Sequence, residues 1–338
     1  MSMETTLVSA VGMTSSRIGL GTWAMGGWMW GGGDDAEAIK TIRAALELGV
    51  TLIDTAPAYG FGRAEELVGR AIAEHGGRER VLIATKAGLG WRGGAVYRDA
   101  SAERIRVEIE NSLHRLGTSY VDIYQVHWPD PLVPIEETAA AMAQLFERGT
   151  IRAIGVSNFS PEQMEIFRTV APLHVVQSPY NLFERAIEDD VRPYAFSHDL
   201  TVLAYGALCR GLLSGRMRQD TKFTGDDLRQ TDPKFQPRRY RQYLDAVARL
   251  DRFARERYDR GVLALAVRWI LDQGPTVALW GARRPDQLSP VGDVLDWHLD
   301  DGARAAIDGI LAETITDPVG PECMAPPARG ARGGPHPG

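Results

Sequence analysis

Val81-Leu-Ile-Ala-Thr-Lys86, Val121-Asp-Ile-Tyr-Gln-Val-His127 and Ile151-Arg-Ala-Ile-Gly-Val156 are short aliphatic runs separated by two longer amphipathic stretches, Ala102–Leu116 and Ile135–Glu147. Near-continuous apolar runs of this length read as strands covered on both faces, as in a parallel sheet. Ser101 stands where it can cap the first amphipathic stretch. Gly117 and Gly149 stand where a helix stops and a left-handed residue is useful. The segment therefore reads strand, helix, strand, helix, strand.

The same rhythm continues in both directions. Strands are predicted over Arg17–Trp23, Thr51–Thr55, Val175–Ser178, Thr201–Tyr205 and Val277–Trp280. Helices are predicted over Asp35–Leu48 (capped by Asp34 and closed by Gly49), Ala64–Glu74, Pro161–Thr169 (capped by Ser160), Asp189–Ser197, Leu263–Asp272 and Pro285–Val294. Eight strands alternating with eight helices make an α/β protein with a parallel sheet. Their even spacing favours a closed (β/α)8 TIM barrel over an open doubly wound sheet. Gly19-Leu-Gly-Thr-Trp-Ala24 fits the loose dinucleotide fingerprint of open sheets, but it lies inside the first strand rather than on a strand-to-helix turn.

An extra helix, Pro237–Tyr258, lies between strands seven and eight, behind a polar segment, Cys209–Gln236, suited to be a lid. A last helix spans about Gly302–Leu311. One barrel domain is expected over residues 1–319. Residues 320–338 hold five Pro and five Gly in nineteen positions and are expected to be disordered.

The 338-residue chain carries 38 basic and 44 acidic side chains, a net charge of −6 that argues against a nucleic-acid partner. Two cysteines, Cys209 and Cys323, make neither a disulfide framework nor a four-cysteine zinc site. The seven histidines are scattered and only His127 falls at a strand end, which argues against a metal centre. No secretory signal and no membrane-length apolar run is visible, so a soluble, cytoplasmic protein is expected.

Barrel enzymes carry their chemistry at the C-terminal ends of the strands. Strand two ends on Asp54 and its loop brings Tyr59, strand three ends on Lys86, and strand four on His127. Each alone has a structural explanation: a loop cap, a packing anchor, a solvated ammonium, a hydrogen-bonded scaffold. Together they supply a proton donor and a site for a carbonyl oxygen. A tyrosine near pKa 10 is a weak acid, and Lys86, held by Asp54, is expected to lower that value. No side chain donates a hydride, so carbonyl reduction would require a nicotinamide.

At these positions the chain resembles the aldo-keto reductase superfamily. The resemblance rests on Gly19-Leu-Gly-Thr-Trp23, Leu52-Ile-Asp-Thr-Ala-Pro-Ala-Tyr-Gly60, Ala84-Thr-Lys86 and Asp122-Ile-Tyr-Gln-Val-His127. It continues through Ile154-Gly-Val-Ser-Asn-Phe159, Gln177, Ala204-Tyr-Gly-Ala-Leu208 and Gly281-Ala-Arg283, in order over about residues 17–300. The likeness is greatest to the bacterial branch near the general-stress reductases and potassium-channel β subunits.

The resemblance implies a catalytic set of Asp54, Tyr59, Lys86 and His127, with Tyr59 as proton donor. It implies that Ser157, Asn158 and Gln177 hold the nicotinamide carboxamide, that Tyr205 stacks on the ring, and that Gly21, Thr22 and Trp23 line the same end. By the same carry-over the segment Leu208–Gly211 contacts the pyrophosphate through its backbone, Arg283 pairs with the 2′-phosphate of NADPH, Gln287 lies near the adenosine, and Gly206 and Gly281 belong to the same cofactor site. Two positions depart from the family pattern. Gly206-Ala207 replaces Ser-Pro, and Val291 stands where an Asn is usual.

Trp28, Trp30, Trp91 and Trp128, with Met29 and Phe61, lie in loops after strands one to four and predict an aromatic-walled substrate pocket. Arg238 and Arg239 would add charge near it. The reading is an oxidoreductase acting reversibly on a small carbonyl or alcohol, with NADPH preferred over NADH and no membrane or nucleic-acid partner. A nicotinamide-binding redox sensor with little turnover is the alternative.

Overall fold

The computed structural model describes residues 3–8 and 12–330. Eight parallel strands close a barrel: β1 Ile18–Gly21, β2 Leu52–Asp54, β3 Leu82–Ala87, β4 Val121–Val126, β5 Ile151–Ser157, β6 Val175–Pro179, β7 Thr201–Tyr205 and β8 Thr276–Gly281. The closing pair is β8 with β1, where Gly281 faces Gly21. Around it run α1 Asp35–Glu47, α2 Arg63–His75, α3 Ala102–Leu116, α4 Ile135–Glu147, α5 Pro161–Arg168, α6 Val191–Ser197, α7 Pro237–Tyr258, α8 Val262–Leu271 and α9 Asp301–Thr314.

The caps act as their chemistry requires. The Asp34 and Ser101 side chains accept the backbone N–H groups of Glu37 and Arg104, and Ser160 with Gln163 forms a reciprocal capping box. Leu52, Leu82, Ile123, Val175, Leu203, Val277 and Leu279 form a buried cluster inside the barrel. Gly19 belongs to this packing, since a Cβ there would lie 2.9 Å from Leu279 Cδ2 and 3.0 Å from Leu52 Cδ2. That close approach explains a glycine inside a strand, without any dinucleotide turn.

Four features differ from expectation. An N-terminal hairpin, Thr5–Val8 with Met13–Ser16, inserts the fully buried Val8 into the inner cluster. A second hairpin, Leu89–Arg92 with Ala95–Arg98, follows β3. Its two-residue loop, Gly93-Gly94, has φ of 57° and 81°, the positive-φ pair that tight hairpins favour. Residues 285–294 form a 3-10 run rather than an α-helix, because Pro290 lies inside it and has no N–H to donate.

The fourth concerns the C-terminus. Residues 320–330, expected to be disordered, are seated on the barrel; residues 331–338 lie outside the described residues. The Arg98 N–H donates to Pro327 O at 2.9 Å and Arg98 Nε to Pro326 O at 2.7 Å. Arg329 pairs with Asp99 at 3.1 Å, and Lys234 Nζ donates to Gly320 O at 3.1 Å. Proline lacks a donor but keeps its carbonyl, and here two of those carbonyls are the acceptors.

The insertion between β7 and β8 packs α7 against α8 and α9. Arg239 pairs there with Asp317 at 2.9 Å rather than adding free charge to a pocket. Among the described residues, no helix is long and apolar enough to cross a membrane.

Candidate active site

Asp54 ends β2, and the turn after it carries Tyr59 into the start of α2. The Tyr59 carbonyl accepts the Ala64 N–H at 3.1 Å, so the phenol-bearing turn moves with that helix. Lys86, paired with Gln125 in the barrel register, is fully buried. Its ammonium meets Asp54 Oδ2 and Oδ1 at 2.8 and 2.9 Å, and donates to Thr55 O at 3.0 Å and Tyr59 Oη at 3.1 Å. Because Lys86 donates to the phenol oxygen, the Tyr59 proton is left to be donated elsewhere. The Tyr59 ring stands edge-on to His127 at 5.8 Å and stacks near Trp23 at 6.0 Å.

Burial pushes the Tyr59 phenol well above its ordinary pKa, and the Asp54 charge adds to the rise. This reverses the expectation that Lys86 would lower it. The ammonium is bound face-on to a carboxylate, so the phenol sees a nearly neutral pair instead of a bare cation. Burial also lowers Lys86, against the pull of Asp54. His127 lies well below 6.5, through burial first and the Lys86 charge second. At neutral pH the mouth thus presents a protonated phenol and a neutral imidazole.

Gln177 is expected beside a carboxamide. Here its amide donates to Asp54 Oδ1 at 2.8 Å, joined at 3.4 Å by Gln125, so it also buttresses the buried pair. Asn158, at φ 62°, donates to His127 O and Ser157 Oγ, both at 3.0 Å, and accepts from Tyr205 Oη at 2.9 Å. Ser157, Asn158 and Tyr205 are therefore one hydrogen-bonded edge tied to the His127 backbone. Thr22 Oγ1 donates to Asp54 O at 3.0 Å, tying the end of β1 to the same centre.

Past Tyr205 the chain turns at Gly206 (φ 70°) and runs through Cys209, Arg210 and Gly211 at φ 44°, 53° and 93°. Two non-glycine residues in this region are costly unless held. What holds them is a buried charge cluster: Arg210 with Glu184 at 2.7 Å and Asp232 at 2.5 Å, and Lys234 with Glu184 at 2.8 Å. The Cys209 and Gly211 N–H groups are used within the turn, on Gly206 O and Leu208 O. The segment Cys209–Gln236 is thus in part a buried platform rather than simply a polar lid. Glu184, Asp232 and Lys234 escape sequence reading because isolated charges in loops look like surface.

Arg283 donates to the Trp30 carbonyl at 2.9 Å and to the Gly32 carbonyl. Asp226 takes the Met29 and Gly31 N–H groups at 2.7 and 2.9 Å, and Leu228 N–H donates to Met29 O at 3.0 Å. The loop after β1 is thereby latched to the loop after β7. Trp30 takes part in this latch, edge-on to Trp23 at 5.4 Å and beneath Arg229 at 5.1 Å. The wall itself runs Trp28, Phe61, Trp91, with ring separations of 5.0 and 5.7 Å. Trp128 packs on the same small cluster, under Arg98 at 5.3 Å. Gln287 Oε1 accepts the Arg283 and Arg284 N–H groups at 2.7 and 3.1 Å, capping the 3-10 run after β8. Gly281 has open space where a side chain would stand.

Residues 17–312 match the model of the aldo/keto reductase family. The chain is 58% identical to the aldo-keto reductase YhdN of Bacillus subtilis, over 97% of this chain and 99% of that one. It is 35% identical to an NADH-specific methylglyoxal reductase of Escherichia coli, over 90% and 96% of the two chains. Among solved structures it is similar to the glycerol dehydrogenase AKR11B4 from Gluconobacter oxydans, at 52% identity and a TM-score of 0.87, covering 95% and 99%. With a closed eight-stranded barrel and an acid, a phenol, an ammonium and an imidazole at its mouth, the chain belongs to the aldo/keto reductase family, oxidoreductases of carbonyl and alcohol groups.

Proposed function

We propose that this protein is an NADPH-dependent carbonyl reductase, reversible to alcohol oxidation, in which Tyr59 donates the proton. The observation that carries this reading is Lys86 Nζ, bonded at once to both Asp54 oxygens and to Tyr59 Oη. Lys86 and Asp54 hold the phenol oxygen in place, and His127, uncharged, orients the carbonyl oxygen between itself and Tyr59. A neutral imidazole suits this task, since a charged imidazolium would compete with Tyr59 as the proton donor. The aromatic wall excludes water and sets substrate shape.

The residues around the mouth fit a nicotinamide dinucleotide. Ser157, Asn158 and Gln177 present hydroxyl and amide groups for a carboxamide, beside Tyr205 for the ring. Gly281 leaves room, and Gly206–Gly211 supply a backbone turn fixed from beneath. The Arg283 guanidinium donates to two backbone carbonyls and has Arg229, Asp227 and Arg284 as charged neighbours. Among the described residues no carboxylate pairs with it, so its guanidinium is available to a 2′-phosphate. When bound, the nicotinamide supplies the hydride.

The test is a titration with NADPH and, separately, NADH, followed by tryptophan fluorescence. NADPH binding tighter than NADH is the expected result; equal or reversed affinities overturn the preference. Arg283→Ala should weaken NADPH by about 10–100-fold, as expected for a charged hydrogen-bonded pair, while changing NADH little. Equal losses for both cofactors would assign Arg283 to the loop latch instead. Methylglyoxal and glycerol, from the relatives' names, head the substrate panel.

The pH dependence has a definite sign. Reduction needs the protonated phenol, which burial keeps protonated well past neutrality. Its kcat should stay level from pH 6 to about 9 and fall only in strong alkali. Alcohol oxidation needs the deprotonated form and should climb with pH across the same range. Paired kcat profiles check this; reduction falling near neutrality would assign the proton to another group.

A further inference from the structure

We propose that Glu65 and Thr85 are positioning residues that set the distance between the Tyr59 phenol and the Lys86 ammonium from behind the barrel wall. The inference rests on the assignment of Tyr59 as proton donor. Glu65 lies in the first turn of α2 and is fully buried. Its Oε1 accepts the Thr85 hydroxyl at 2.6 Å, and its Oε2 accepts Arg115 Nε at 2.7 Å. Thr85 immediately precedes Lys86 on β3, so its side chain leaves the opposite face of the strand.

The two groups that must meet are carried by different bodies. The ammonium is built on β3, whereas the phenol rides on the turn that leads into α2, bonded through Tyr59 O to Ala64 N–H. The Glu65–Thr85 bond is a direct tie between those bodies, away from the reacting atoms. Arg115 completes it on the other side of the turn. A Cβ at Gly62 (φ 103°) would lie only 2.8 Å from Arg115 Cδ, so the arginine stem packs on the chain three residues after Tyr59. The loop after β1 also presses close, since a Cβ at Gly26 would lie 2.6 Å from the Tyr59 carbonyl. The proton-donor turn is thus held by a backbone contact at Gly26 and by the Arg115 side chain at Gly62, the latter fixed by Glu65.

A buried carboxylate is expensive, and an apolar residue would pack α2 on β3 without that cost. What the carboxylate adds is direction: one oxygen reads the strand, the other reads the clamp. Packing alone cannot supply that, because apolar contacts are non-directional.

The test compares Thr85→Val, which keeps shape and loses the hydroxyl, with Thr85→Ser, which keeps the hydroxyl, and with Tyr59→Phe. Folding of each is checked by circular dichroism and thermal unfolding. The expected result for Thr85→Val is a fall in kcat of about tenfold, the scale of a small misplacement of a reacting group. KM for the carbonyl and Kd for NADPH should stay near wild type, and the solvent deuterium isotope effect on kcat should rise. Thr85→Ser should restore most of the rate. Wild-type kcat in Thr85→Val, or equal losses in the Val and Ser variants, would overturn the positioning role while an inactive Tyr59→Phe leaves the proton donor standing. An active Tyr59→Phe would instead remove the reading on which the inference rests.

Discussion

Tyr59→Phe lowers kcat for carbonyl reduction by about 10²–10⁴-fold, the usual contribution of a positioned acid, and leaves NADPH affinity unchanged. The reason is local. The substitution removes one oxygen atom, 3.1 Å from Lys86 Nζ, and keeps a ring that packs against Trp23 and His127. Lys86 retains Asp54 and Thr55 O, so no buried charge loses its counter-ion. The residues proposed to hold the cofactor do not touch the phenol oxygen. Single-turnover rates with fluorescence titration separate the two effects. A variant within tenfold of wild type would place the proton donor elsewhere at the mouth.

Arg210→Met costs about 3–5 kcal/mol of stability, because removing one partner of a buried ion pair leaves carboxylates without compensation. Arg210 faces Glu184 and Asp232, all three nearly inaccessible to water. Lys234 still covers Glu184 in the variant, but among the described residues Asp232 keeps only the Lys234 backbone N–H. The left-handed turn over residues 209–211 loses its anchor at the same time. NADPH should therefore bind more weakly, beyond what the lower stability explains at temperatures where the variant is folded. Denaturant unfolding with and without NADPH measures both. A loss under 1 kcal/mol would mean that this platform relaxes around a missing charge.

The barrel strands were legible because their signal is local. Val-Leu-Ile-Ala at 81–84 and Ile-Arg-Ala-Ile-Gly-Val at 151–156 combine apolar runs with nearby helix caps and stops, and neither reading needs a distant partner. The small hairpins were harder. Gly93-Gly94 did carry a turn signal, but the strands beside it are four residues each and include Trp91 and Arg92, with no clear alternation. The proline-rich C-terminus looked disordered because composition registers lost donors and not the acceptors that Arg98 uses.

The site divides in the same way. Asp54, Tyr59, Lys86 and His127 could be picked out because strand ends in a barrel converge, so their chain positions imply proximity. Glu65, Glu184, Asp232 and Lys234 could not, since a buried charge and a surface charge are the same letter in a sequence. The packing of Trp30 was not legible for a related reason: a loop residue two positions from Trp28 can face either way, and the latch to Asp226 is a tertiary contact.

By itself the sequence determined the order and type of the elements, their closure into a barrel, and the four side chains that meet at its mouth. Those follow from periodicity and from the rule that every strand end opens on one face. The tertiary structure alone decided how those groups are tuned. The direction of the Tyr59 shift depends on the burial of the phenol and its nearness to Asp54, and the grip on its turn depends on Glu65 reaching Thr85 and Arg115. Such effects vary with distance and dielectric in three dimensions, and no spacing along the chain encodes either.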